Sequence, residues 1–174
     1  MAENSAHAFT VADDIAGDSY REVDRAEDIG HPLLADVFTY WRTLAAGRSM
    51  PLAGDVDPID IPRQALGYVF LLDVEHHEAG LRFRVRLAGS QAVEQAGFDP
   101  TGRYGEDVPG SEPVAARLTR AVESRRAYVA DVPLTWSSRN YKRYLTLVCP
   151  LAAGDVPEGT VPEVVRLLAV VLFH

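Results

Sequence analysis

The sequence predicts an α+β fold in which one five-stranded antiparallel sheet carries a helical crossover on one face. Three observations point to it. Periodic segments run strand, strand, helix, strand, strand, strand, after one amphipathic helix. The first and last strand segments, LGYVFLLDV and VVRLLAVVLF, are the most uniformly apolar, as strands covered on both faces must be. Others carry what sheet edges tolerate: Arg82, Arg84 and Arg86 in the second strand, Asp131 and Pro133 in the third. Hairpin neighbours, with the first strand paired to the last, give the spatial order 2-1-5-4-3 and place both apolar strands inside.

Composition bounds the function. The chain has 174 residues, 47% hydrophobic and 24% charged, which suits one ordinary folded domain. Its net charge of −8 argues against a nucleic-acid partner, whose phosphates need a positive surface. Cys149 is the single cysteine, which excludes intramolecular disulfides and cysteine-based zinc sites. The opening MAENSAHAFTVADD has acids and no apolar signal core. The longest apolar run, Val164–Phe173, is interrupted by Arg166 and falls short of the ~20 residues a bilayer needs. No membrane association and a cytoplasmic location are expected.

Residues 1–30 are expected to be an acidic flexible tail, because residues 1–28 hold eight acids against two arginines. The domain is expected over 31–174. A helix over 32–46 presents Leu34, Val37, Phe38, Trp41, Leu44 and Ala45 at helical spacing, with Pro32 in its first turn and Gly47 as a stop. The stretch MPLAGDVDPIDIP is extended, with Asp60 expected as a cap. Asp55, Asp57 and Asp60 read as turn and cap residues, since no calcium-loop spacing surrounds them. Strands are expected over 66–74 and 81–87, joined by a polar turn at Glu75–Gly80. In the second, Leu81, Phe83, Val85 and Leu87 alternate with the three arginines. The crossover holds a short helix at 90–96, the loop GFDPTGRYGEDVPG, and a helix at 112–125 capped by Ser111, with Val114, Leu118, Ala121 and Val122 inward. Strands over 127–135, 141–150 and 164–173 complete the chain, joined through WSSRN and LAAGDVPEGTVP.

Candidate chemistry is sparse. His76 and His77, beside Glu75 and Glu78, have metal-binding side chains, but adjacent turn residues do not converge on one ion and no third ligand is spaced to help; they read as exposed turn residues. Cys149 reads as a core residue and Ser90 as a helix start without a nucleophile-elbow pattern. No phosphate-loop spacing occurs. The stripe Arg82, Arg84 and Arg86 either meets an acidic partner segment or protects an edge strand, with Arg86 in a salt bridge. Tyr68, Phe70, Phe83, Leu118, Trp136 and Tyr144 line the space between sheet and crossover helices, as a ligand pocket or as filled core.

The expected strand order, with the segments YWRTLAAGRSMPLAGDVDPIDIP, LGYVFLLDV, FRVRLAGS and GFDPTGR, resembles the short bacterial single-PAS-domain proteins over about residues 37–173. The resemblance implies the PAS fold and a non-enzymatic sensor or adapter acting in trans on a signalling partner, with a small ligand between sheet and helices. It also implies a homodimer or partner surface on the 32–46 helix, with Val37, Phe38, Trp41 and Leu44 as interaction candidates beside the arginine stripe. Residues 88–126 contain neither cysteine nor histidine, so there is no haem or flavin-adduct signature, and the ligand is not named. The alternative is a small enzyme or carrier on a ketosteroid-isomerase-like cone. That chemistry needs a carboxylate or histidine in an apolar pocket, with Asp73 and Asp131 as nominees. A hairpin ahead of the main crossover favours the first reading.

Overall fold

A computed structural model describes residues 19–154 and 156–174. Its elements are β1 (Ser19–Glu22), α1 (Pro32–Ala45), β2 (Val69–His77), β3 (Gly80–Ala88), α2 (Ser90–Ala96), α3 (Glu112–Ser124), β4 (Tyr128–Pro133), β5 (Arg143–Ala152) and β6 (Val164–Phe173), with short 3-10 turns between them. The strands form one sheet in the order β1-β4-β5-β6-β2-β3, every neighbouring pair antiparallel. Five strands keep the relative order expected from the sequence, with the two apolar strands β2 and β6 paired from Val69↔Val170 to Asp73↔Arg166. The count differs: β1 adds a sixth strand, so β4 is not an edge.

That strand also corrects the expected flexible tail over its described part. Residues 19–22 pair with β4 from Ser19↔Asp131 to Glu22↔Tyr128, and Val23 and Ile29 are buried. The acids here meet specific cations: Arg126 holds both Glu22 and Asp24. Residues 1–18 of the expected tail lie outside the described residues.

Alternation along each strand gives the sheet two apolar faces. On one, α1 turns Leu34, Val37, Phe38, Trp41 and Ala45 inward, all buried, towards the layer that includes Leu147, Cys149 and Leu151 of β5. Trp41 Nε1 donates to the Pro150 carbonyl at 2.9 Å. The helix ends at Ala46 in the left-handed region, one residue before the expected Gly47 stop. The stretch between α1 and β2 closes this side; Asp57, rather than Asp60, caps its turn by accepting from the Ile59 amide. On the other face lie α2 and α3, whose Leu118, Ala121 and Val122 are buried. Ser111 precedes α3 without capping it, because its hydroxyl donates to the Gly105 carbonyl at 2.5 Å. Ser90 is the first residue of α2, behind Gly89, and makes no cap bond.

Two further expectations are corrected in the β2–β3 hairpin. His76 and His77 belong to β2, paired with Leu81 and Gly80, so the turn is only Glu78 and Ala79. The alternation of β3 also breaks: Leu71 pairs with Leu87 but Leu72 pairs with Val85, leaving Arg86 as an inserted residue. Leu87 therefore faces away from Val85 and Phe83. Gly89 sits where β3 turns into α2, and a Cβ there would lie 2.4 Å from the Gly67 carbonyl oxygen.

Candidate functional site

A cavity of about 110 Å³ lies between the sheet and the α2–α3 layer. Its floor is the sheet: Phe70 and Leu72 from β2, Phe83 and Val85 from β3, Tyr144, Thr146 and Val148 from β5, Ala169 and Val171 from β6. These alternate positions share a face by the period of two, and the small Ala169 leaves space in the centre. The roof comes from the crossover, with Phe98, Pro100, Val108, Ser111, Val114 and Leu118. No charged side chain is among the described lining residues.

Trp136, on the loop after β4, closes one side. Its ring stands edge-on to Phe70 at 6.3 Å, Phe98 at 6.0 Å, Tyr144 at 6.0 Å and Phe173 at 6.3 Å between centroids. Edge-to-face geometry sets the positive rim of one ring against the negative face of another, so this cluster has a defined shape. Trp136, Phe98 and Val108 also line a shallower groove with Arg103, Pro109 and Thr135, which leads outward. The Trp136 loop is tied to α2: Ser137 Oγ donates to the Ala96 carbonyl at 2.5 Å, and Arg139 Nη1 donates to the Glu94 and Gln95 carbonyls at 2.7 and 3.0 Å. Those carbonyls are the unpaired end of α2, and a cation there suits the helix dipole.

Beside the cavity lies a polar cluster. Arg117 of α3 is only 6% exposed, and its Nη2 donates to the Tyr144 hydroxyl at 3.0 Å. Among the described residues, Arg117 Nε has no hydrogen-bond partner, nor does the buried Tyr20 hydroxyl. Tyr20 of β1 stacks on Tyr128 of β4 at 4.7 Å, and the Arg120 guanidinium covers its outer side. Burial pushes the Tyr20 phenol up to about 12 and Tyr128 higher still, in each case opposed by arginine charge from α3.

The structure brings five of the six aromatic-set residues together around the cavity: Phe70, Phe83, Leu118, Trp136 and Tyr144. Tyr68 is not among them, because it sits in the 3-10 turn before β2. Sequence reading missed Phe98, Tyr128 and Thr146 as lining, and Arg117 beside it. One signal for Arg117 was available: position 117 lies three after Val114 and four before Ala121, on the same helical stripe.

The interaction candidates are placed differently from expectation. Val37, Phe38 and Trp41 are 0–2% exposed and Leu44 is half-buried, so the apolar face of α1 is occupied by the chain's own sheet. Each stripe arginine has an internal partner. Arg82 lies 3.7 Å from the Tyr104 ring centroid and reaches Glu106, Arg84 donates to the Gly102 carbonyl at 3.3 Å, and Arg86 grips both Asp73 oxygens at 2.9 and 3.0 Å.

Asp73 and Asp131, the nominees of the enzyme alternative, point away from the cavity. Asp73 also accepts from Arg166 at 2.8 Å. Partial burial pushes its carboxyl up, but the Arg86 and Arg166 hydrogen bonds and charges outweigh this and hold it below the usual range. Asp131 accepts from Arg143 at 3.2 Å, with His174 also 3.2 Å away. His76 lies against the Val164 carbonyl and Glu163, and His77 against Glu75. No cluster of three metal-ligating side chains occurs among the described residues. Cys149 is fully buried, which pushes its thiol far above the ordinary range. Among the described residues no helix is long and apolar enough to cross a membrane.

Comparison with known proteins gives one result. A family model described as a PAS domain matches residues 29–104, the span from the start of α1 through α2 and into the loop before α3. No curated protein and no solved structure matches the chain.

Proposed function

We propose that this chain, a PAS-domain protein by its match over residues 29–104, is a non-enzymatic sensor or adapter that responds to a small molecule held between sheet and helices and acts in trans on a signalling protein. PAS domains are generally sensory and interaction modules, and the cavity around Trp136 carries the ligand half of the reading. A dry apolar cavity of about 150 Å³ admits benzene. The ~110 Å³ here therefore suits a molecule with an apolar body slightly smaller than that ring.

The reading gives the elements distinct roles. The hairpin and β5–β6 supply a rigid floor, while Trp136 and the loop before α3 supply walls that meet solvent. Occupancy changes signalling only if the ligand prefers one arrangement of those walls. The partner surface lies elsewhere than the apolar face of α1, which the fold has already covered. Asp73, held ionised between two arginines on the opposite face, is poorly suited to general-acid work.

Native mass spectrometry of the freshly purified protein and an Ala169→Leu variant tests the reading. The added side chain fills the floor of the cavity without introducing charge. An extra mass on the wild type, lost on unfolding and absent from the variant, is the expected result. Spectra that differ only by the substitution would overturn the ligand half.

A further inference from the structure

Among the described residues, Arg117 is a buried cation with no carboxylate ion-paired to it. Arg117 is 6% exposed, its Nη2 donates to the neutral phenol of Tyr144, and among the described residues its Nε has no partner. No carboxylate among the described residues pairs with it. Other arginines near the sheet do have acids, such as Arg126 with Glu22 and Arg166 with Asp73. Burying a guanidinium costs far more than burying a neutral group unless an opposite charge or full hydrogen bonding offsets it.

The phenol beside Arg117 belongs to the cavity. Tyr144 lines it, and its oxygen already accepts from Arg117 Nη2. Its hydroxyl hydrogen therefore needs a different acceptor, and a phenol polarised by a cation is a strengthened donor. Tyr128, the other phenol of the cavity wall, lies under the same positive charge.

We propose that the cavity takes a small monocarboxylic acid as its anion, with an apolar body of about three carbons on the sheet floor and its carboxylate accepting from the Tyr144 hydroxyl, while Arg117 behind that hydroxyl balances the charge. This rests on the ligand-sensing reading above and names its chemical class. One buried guanidinium matches one negative charge. A phosphate would bring up to two charges and more acceptors than these donors satisfy.

The test is a calorimetric titration of the full chain with butyrate, butyramide and 1-butanol at neutral pH, repeated on Tyr144→Phe and Arg117→Met. Butyrate is expected to bind at least tenfold more tightly than butyramide or butanol. Tyr144→Phe and Arg117→Met are expected to lose that preference. Equal affinity for the three probes on the wild type would overturn the carboxylate assignment and leave the cavity as a neutral-ligand site. No binding of any probe would overturn the assignment and the ligand reading together. Because acid and neutral isosteres are compared on the wild type, a variant that fails to fold does not remove the test.

Discussion

The indole N–H of Trp41 and the carbonyl of Pro150, 109 residues apart in sequence, meet at 2.9 Å inside the core. This bond fastens α1 to the C-terminal part of β5. Trp41→Phe removes the donor, leaves a buried carbonyl unsatisfied and opens a small void. A loss of about 2–4 kcal/mol is expected in urea unfolding. A loss below about 0.5 kcal/mol would mean that α1 is not seated as described.

Asp73 holds two arginines, Arg86 and Arg166, on the face away from the cavity. Its carboxyl is depressed in the fold, so its contribution is present above the unfolded-state value and lost as pH falls through the folded one. Asp73→Asn is expected to lower stability by about 1–2 kcal/mol at neutral pH, with the gap to wild type closing as pH drops below about 4. Equilibrium unfolding between pH 3 and 7 measures this. A gap that widens on acidification would contradict the assignment.

Gly110 combines a φ of 82° with a backbone neighbour, since a Cβ there would fall 2.0 Å from the Thr135 carbonyl oxygen. Its own carbonyl accepts from Thr135 Oγ1 at 2.6 Å, which draws the loop before α3 against the strand that leads to Trp136. Gly102 has the same φ and nothing within 4 Å. Gly102→Ala is expected to cost about 1 kcal/mol from backbone strain alone, and Gly110→Ala clearly more. Equal losses in thermal unfolding would contradict the close packing of the two loops.

Cys149 offers a probe of the covered face. It is fully buried, and burial disfavours its thiolate. A thiol-reactive dye is expected to label it only as fast as the protein opens, with full labelling in denaturant. Labelling of the folded protein at the rate of a small free thiol would show that α1 does not cover β5.

How much of this was legible in the sequence depends on how each residue signals its surroundings. Trp41 and its stripe declare a buried helix face because six apolar residues recur at helical spacing; that the face is covered by the chain's own sheet depends on contacts far along the chain. The segments LGYVFLLDV and VVRLLAVVLF read as interior strands because little but apolar side chains fills them. The strand at Ser19–Glu22 was hidden: SYRE offers one apolar residue in four, and its stability comes from Tyr128, Arg126 and Arg120, about a hundred residues later. Tyr68 reads as a cavity residue because a 3-10 turn joined to a strand looks like one longer strand. The bulge at Arg86 sends Leu87 to the other face without any break in the apolar-polar alternation. By its residue type Arg117 gives no sign of burial in the sequence, since a charged side chain on a helix ordinarily reads as solvated.

The space between Trp136, the sheet and α3 is open, and it is expected to accept a small apolar body. Xenon is the most direct probe, because it enters apolar cavities by shape and polarisability with no need for a known ligand. In crystals pressurised with the gas, one ordered xenon is expected among Phe70, Tyr144 and Ala169 in the wild type, and none there in Ala169→Leu. Wild-type crystals with that space filled by side chains and without xenon would contradict the account.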